Sequence, residues 1–440
     1  MTGVEPMTEP AFAVLLLLVL GWAVVSYRLA RWNITGPLVF TVAGFVLGNP
    51  GWGPLSVDVE TPSMHLLAEV TLALLLFSDA ARVNVSMLRR DIRIPARLLG
   101  IGLPLSVILG SLAAAWLFDD FTWALAGFVG AALAPTDAAL SAQVINDERI
   151  TSRVRRALNV ESGLNDGIVT PIVVFTLAIA ANQLGVTGGD EAAAGGGALL
   201  QLAVGVVVGL AVGLGSALLI ALGSRRRWVL PGGRRLATLA AALGSFALAV
   251  TLSGNGFIAA FVAGIAFGAA LPRQVADPDQ LGELPELLGE VLALGVWFLF
   301  GATLVPIAFE HFSASTLVYA VLSLTVVRLL PVALAMAGTG LDRATVSFMG
   351  WFGPRGLASV VFAVLAVEEL GESEPVDRAL SIVALTVLLS VVAHGVTAGP
   401  LGRRFALGHG DGSPGDGSPI DGDRPRARRQ SHGSVPRQQR

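Results

Sequence analysis

The chain contains no cysteine and no lysine. Without a thiol there is no disulfide framework, no thiolate metal centre and no cysteine nucleophile. Every basic side chain is arginine, apart from five histidines. Charge of either sign is scarce, at 14% of 440 residues, whereas 54% are hydrophobic and mean hydropathy is +0.71. A soluble domain carries about 25% charged residues, so the composition excludes that class. The net charge of −3 says little about partners, and no nucleic-acid partner or cofactor is expected. The histidines are scattered, with no metal-ligand spacing; only His394 is placed inside an apolar span, where it reads as packing.

What the chain does have is long apolar runs, from residue 10 to residue 400, each long enough to cross ~30 Å of hydrocarbon as a helix. Thirteen spans are expected, at 10–27, 34–50, 63–82, 97–118, 121–146, 154–182, 198–222, 234–253, 255–271, 288–309, 314–338, 344–367 and 378–401. Glu5 and Glu9 precede the first and no basic stretch does, so it reads as a retained helix rather than a signal peptide. Arginine marks every second gap: Arg28 and Arg31; Arg82, Arg89, Arg90, Arg93 and Arg97; Arg149, Arg153, Arg155 and Arg156; Arg225, Arg226, Arg227, Arg234 and Arg235. Acids mark the others, among them Asp58 and Glu60, Asp119 and Asp120, Asp190 and Glu191, and Glu368 to Glu374. The gap holding Arg273 among acids is the weak point. By the positive-inside rule the N-terminus faces outward and the C-terminus lies in the cytoplasm. Residues 402–440, poor in apolar side chains, read as a disordered cytoplasmic tail after a transmembrane domain over 1–401.

A repeat supplies the architecture. Span 2 has glycines at 36, 44 and 48; span 9 has them at 256, 264 and 268, every one shifted by 220. Leu-Leu-Ala-Glu-Val at Glu69 matches Leu-Leu-Gly-Glu-Val at Glu290, and Pro135 lies opposite Pro354. Equivalent spans are seven apart, an odd number, so the two halves point in opposite directions. Residues 10–182 and 234–401 form two inverted six-helix repeats, joined by a linker helix at 198–222. Transporters built this way bind substrate near the midplane, at interrupted helices. Pro135-Thr136-Asp137 interrupts span 5 and Gly353-Pro354-Arg355-Gly356 interrupts span 12, because proline removes an N–H and clashes with the preceding turn. The fold expected is all-α and polytopic, with spans 5 and 12 broken and crossed.

The ionisable residues inside the spans carry the chemistry. A charge at the bilayer centre costs about 2.5–3.5 kcal/mol on insertion scales, so each such residue needs a reason. At the crossing, Asp137 is expected to neutralise N–H ends in span 5, and Arg355 carbonyl ends in span 12. Asp166 lies mid-span in span 6, beside Asn165 and with no basic residue within a helical turn. A lone hydrated carboxylate holds either a proton or a monovalent cation, and exchange requires only that competition. Ser162, one turn earlier, and Thr136 at the break would add hard oxygen ligands. Glu161, on a different face, needs a buried cation; Arg328 is the first candidate and Arg355 the second. Asp79, at the inner end of span 3, lines an access funnel, contacts the cation, or sits at the interface.

Thr-Asp in one broken helix, an arginine-bearing link, then Glu-Ser-x-x-Asn-Asp in the next resembles the monovalent cation:proton antiporters. It is similar to their electroneutral sodium/proton exchanger branch, which has Asn-Asp where the electrogenic branch has Asp-Asp. Phe-Ser-Asp-Ala-Ala at Asp79 resembles the family's acidic site in the third helix, and Gly-Pro-Arg-Gly-Leu-Ala-Ser its arginine-glycine motif. The likeness covers about residues 10–400. It implies a homodimer in the cell membrane, with a six-helix transport bundle moving against a dimerisation domain. It also implies that Asp166 carries the ion, with Thr136 and Ser162 near it and Glu161 in a buried arginine pair. Family members commonly have Thr-Asp-Pro; here Ala138 replaces that proline, and Pro135 stands before the pair. The activity expected is one-for-one exchange of a cation, sodium ahead of potassium, for a proton. A cation channel would use the same residues but wants a symmetric pore ring. An intramembrane hydrolase with Ser162 as nucleophile lacks a base.

Overall fold

The computed structural model describes residues 9–55, 57, 62–82, 92–188, 190–272 and 278–409. Glu5, Asp58, Glu60, Arg89, Arg90, Arg273 and the chain beyond His409 lie outside them. All regular elements among the described residues are helical. In chain order, spans 1 to 3 are α1 (Glu9–Ala30), α2 (Gly36–Leu47) and α3 (Pro62–Arg82). Span 4 is α4 (Arg93–Arg97), a π-helical turn (Leu98–Gly102) and α5 (Leu103–Leu117). Span 5 is α6 (Trp123–Ala132) and α7 (Ala142–Ile145); spans 6 to 9 are α8 (Ser152–Gln183), α9 (Glu191–Arg225), α10 (Pro231–Thr251) and α11 (Gly256–Ala270). Span 10 is α12 (Pro278–Leu299), a second π-helical turn (Phe300–Leu304) and α13 (Val305–Glu310). Span 11 is α14 (Ala314–Leu324) and α15 (Val326–Met336), span 12 is α16 (Arg343–Trp351) and α17 (Leu357–Leu370), and span 13 is α18 (Glu374–His409).

Nine of these helical segments are long and apolar enough to cross a membrane; α2, α6 and α11 are shorter apolar helices. With the broken span 12 they make the thirteen spans expected. Helix ends run past the apolar runs. Span 10 begins at Pro278, and α18 continues through Arg403 and Arg404 to His409, so a tail starting at 402 is ruled out. Arginine, alanine and leucine favour helix as well as any residues, and the ladder continues where hydrocarbon stops. Both π turns precede a proline, Pro104 and Pro306, whose ring collides with the carbonyl four residues back and widens the ladder.

The close helix contacts obey the repeat. A side chain on Gly44 of α2 would strike the backbone of Phe298 in span 10. One on Gly264 of α11 would strike the backbone of Phe77 in span 3. Gly48 meets Ala302, and Gly268 meets Ala81. Span 2 against span 10 is thus repeated as span 9 against span 3, with small residues letting backbones approach as membrane helices require. Spans 2, 3, 8, 9 and 10 pack as one group, and spans 4, 5, 6, 11, 12 and 13 as another, with span 7 touching spans 6, 8 and 9. The second group holds both broken helices. A satellite core, including Leu98, Leu158, Val332, Met336, Phe348, Phe352 and Phe405, closes its arginine-bearing end. There, in the link between spans 5 and 6, Asp147 takes hydrogen bonds from the Arg149 side chain at 2.7 and 2.8 Å, which hold its carboxyl below the usual aspartate range.

Candidate ion-binding site

The site begins with two places where the helix ladder stops. Residues 133–141 of span 5 and 352–356 of span 12 are not helical, and they touch, the Asp137 N–H donating to Pro354 O at 2.8 Å. An interrupted helix leaves carbonyls bare at one cut end and N–H groups at the other. The carbonyl end of α6 is met from the opposing span: Ser359 Oγ donates to Ala132 O at 2.6 Å, and Arg355 Nη1 to Ala134 O at 2.5 Å and Pro135 O at 3.2 Å. At the N–H end of α17, Asp137 Oδ2 accepts from the Leu357 N–H at 2.9 Å. Asp137 Oδ1 accepts from Ala139 N–H and Leu140 N–H within its own span.

Sequence reasoning assigned each charge to its own span, and the structure corrects that. Arg355 serves carbonyls of span 5 rather than span 12, and Asp137 serves both spans. Where two cut helices cross, the nearest bare groups ahead of a side chain belong to the partner. Cation at the carbonyl end and anion at the N–H end is the arrangement helix dipoles favour. Two glycines make room for it. A Cβ on Gly356 would overlap the Asp137 carboxylate, and one on Gly353 would overlap the Arg328 guanidinium.

Glu161 pairs with Arg328, not Arg355. Arg328 Nη1 lies 2.5 Å from Oε1 and Nη2 lies 2.9 Å from Oε2, in the two-pronged form that planar guanidinium favours. Arg328 follows a break in span 11 at Thr325 (φ −115°, ψ −89°).

Thr136, Ser162 and Asn165 come together between these features. Thr136 Oγ1 and Ser162 Oγ are 3.0 Å apart, and Asn165 Nδ2 donates to Thr136 Oγ1 at 2.7 Å and to Thr136 O at 3.4 Å. Asn165 Oδ1 is buried with no hydrogen-bond partner. Ser162, Asn165 and Asp166 follow at helical spacing along one side of span 6. No hydrogen bond or ion pair reaches the Asp166 carboxylate among the described residues. Asp79 and Asp137 lie close enough for their charges to act on it. Asp79 packs over Gly163, between Ser162 and Asp166 in sequence, 3.6 Å from where a Cβ would stand. Thr136, Ser162 and Asn165 thus meet through hydrogen bonds next to Asp166, with Asp79 and Asp137 close by. They offer carboxylate, hydroxyl and amide oxygens, the ligands of a hard cation. No cluster of three His, Asp or Glu suited to a resident metal occurs among the described residues.

Other charged groups sit apart. Glu69 and Glu290, equivalent by repeat, keep different company: Glu69 lies near His65, Glu368 and Glu369, and Glu290 near Glu286 and Arg82. Arg82 of α3 is held by both carboxylate oxygens of Glu286 in α12. His394 is not the only histidine in a span: His65 lies in the first turn of α3 and bridges to Glu368 of α17, Nδ1 to Oε2 2.6 Å. Sequence reasoning missed that bridge, Ser359, Ser390 and the steric role of both glycines. The motif Gly-Pro-Arg-Gly-Leu-Ala-Ser already contained three of them, but not the partner each would meet.

The chain is similar to several known proteins. It is 29% identical over 413 residues to the Na(+)/H(+) antiporter NhaP of Pseudomonas aeruginosa, covering 87% of this chain and 94% of that one. It is 29% identical over 153 residues to the K(+)/H(+) antiporter NhaP2 of Shewanella baltica, a match that spans 35% of this chain and 26% of that relative's length. The fold resembles the solved sodium proton antiporter MjNhaP1 of Methanocaldococcus jannaschii, with TM-score 0.72 and 20% identity, over 91% of this chain and 100% of that one. The family model described as sodium/hydrogen exchanger, transmembrane, matches residues 14–404, and the chain belongs to that family.

Proposed function

We propose that this protein exchanges a monovalent cation for a proton, one for one, across the membrane that its thirteen spans cross. The observation that carries the reading is the Asp166 carboxylate, which no hydrogen bond or ion pair reaches among the described residues, set beside Thr136, Ser162 and Asn165. An isolated charge at this depth is expensive, so the site is occupied in turn by a proton or a cation. Asp166 holds the exchanged species. Thr136, Ser162 and the unpartnered Asn165 Oδ1 supply neutral oxygens, and Asp79 and Asp137 add negative field. Glu161, Arg328 and Arg355 hold the surrounding helices and take no part in the exchange itself. Asn165 stands where a second acid would carry a further charge, so transport is electroneutral.

The cation is sodium, with potassium the alternative that the names of the Shewanella and Alkalimonas amylolytica relatives raise. The alternating arginines support an outward N-terminus and a cytoplasmic C-terminus in the plasma membrane. The family likeness supports a homodimer and a role in pH homeostasis, and the transport domain runs to the end of α18 at His409. The Ser162 hydroxyl lies 3.0 Å from that of Thr136, a contact that supports an ion-ligand role over that of a hydrolase nucleophile.

Exchange in everted vesicles tests this. The wild type should exchange sodium for protons at a rate unaffected by membrane potential, and Asp166→Asn should not exchange at all. Full activity of the variant removes Asp166 from the mechanism. Single-channel currents without saturable counterflow would replace the exchanger by a channel.

A further inference from the structure

His394 is buried in the middle of α18, 1% exposed, and none of the exchange steps uses it. Its ring joins the leading flank of the unwound segment 352–356 to the segment's interior at Arg355. Nε2 lies 2.8 Å from Trp351 O, the last carbonyl of α16. Nδ1 lies 3.2 Å from Ser390 Oγ and 2.9 Å from Ser390 O. Ser390 Oγ in turn accepts the Arg355 N–H at 2.7 Å. Carbonyls face both ring nitrogens, Ser390 O at Nδ1 and Trp351 O at Nε2, and a carbonyl only accepts; a neutral imidazole has one N–H, which is placed here on Nε2, the shorter of the two contacts. Ser390, already accepting from Arg355, has its own hydroxyl hydrogen to give to Nδ1. The result is a directed relay from Arg355 N–H to Ser390 to His394 to Trp351 O, from inside the gap in the ladder to its leading flank. Trp351 is tied down again by its Nε1, which donates to Thr397 Oγ1 at 3.0 Å, and its ring lies 5.1 Å from the imidazole.

We propose that His394, acting through Ser390, is a positioning residue for the ion site. It fixes the backbone of the break that aims Arg355 at the cut end of span 5 and presents the Leu357 N–H to Asp137. Those contacts hold residues 134–137, including the Thr136 oxygens. With the relay lost, the break loosens, and cation affinity falls before the rate of the moving bundle does. The inference rests on the exchange reading above.

The test compares His394→Leu, His394→Gln, Ser390→Ala and wild type as full-length protein in proteoliposomes, with sodium chloride as the probe. Losing a buried hydrogen bond to the break should raise the KM for sodium about tenfold in His394→Leu, with maximal rate nearly unchanged. Glutamine, which can place a donor near the Nε2 position, should recover most of that loss, and Ser390→Ala should fall between. An unchanged KM in His394→Leu and Ser390→Ala, or a glutamine variant as weak as leucine, overturns the proposal. Should His394→Leu fail to fold, the other two variants decide. Nitrogen NMR of histidine-labelled protein, with His394→Gln to assign the signal, gives a readout independent of transport. Hydrogen on Nε2 is expected, and a ring protonated on Nδ1 alone overturns the relay. Wild type that exchanges no cation would sink the exchange reading while leaving the NMR result to judge the relay.

Discussion

Arg328 and Glu161 meet through two hydrogen bonds at a depth where each is 2% exposed. Such a pair gains little over apolar packing, but removing one partner strands the other. Arg328→Ala or Glu161→Ala should therefore cost about 3–5 kcal/mol of stability. Replacing both with methionine should recover much of that in detergent melting. A double variant as unstable as either single one would mean the charges do more than satisfy each other. Gly356 makes a second residue-scale prediction. Its missing side chain is the space filled by the Asp137 carboxylate, so Gly356→Ala pushes that carboxylate from the Leu357 N–H. Cation affinity should drop while the protein still folds, and normal sodium KM would contradict that placement. These pairings mark the limit of sequence reading at this scale. Burial at the wrong depth flagged Glu161, Asp137 and Arg355 as needing partners. Which helix supplies each partner is decided by the crossing, which one-dimensional spacing does not contain.

At the scale of helices, proline and glycine carried most of the legible signal. Pro135 and the Gly-Pro-Arg-Gly segment locate both breaks, and the glycines shifted by 220 residues locate two equivalent helix contacts. The π turns before Pro104 and Pro306 were not legible, because proline alone does not say whether a helix kinks, stops or widens. Helix ends were misread wherever arginine-bearing turns extend an apolar run, as at α18. The repeat makes a paired prediction. Gly44→Val and Gly264→Val should both force their helices apart and destabilise the fold, each by about 1–3 kcal/mol or more, as overpacking does. If melting shows one of them silent, those contacts are not equivalent and the symmetry is only superficial.

On the scale of the whole molecule, the two helix groups meet at few polar points, and His65 with Glu368 is one of them, joining α3 to α17. If the group holding the broken helices moves against the other, that bridge must open during the cycle. The cysteine-free chain makes the test clean: His65→Cys with Glu368→Cys, joined by a short bifunctional thiol reagent, should halt exchange, whereas either single variant so treated should not. Exchange unaffected by the cross-link would mean this contact stays closed. Composition and arginine alternation made the membrane class and span number readable, since both report the solvent around each helix. Movement leaves no such trace in composition. The central claim is that one carboxylate serves two occupants, and proton release measures it most directly. Sodium chloride added to purified, weakly buffered protein should release protons in the wild type, saturating with the cation, and none in Asp166→Asn. Equal release from both proteins, or none from the wild type, would contradict it.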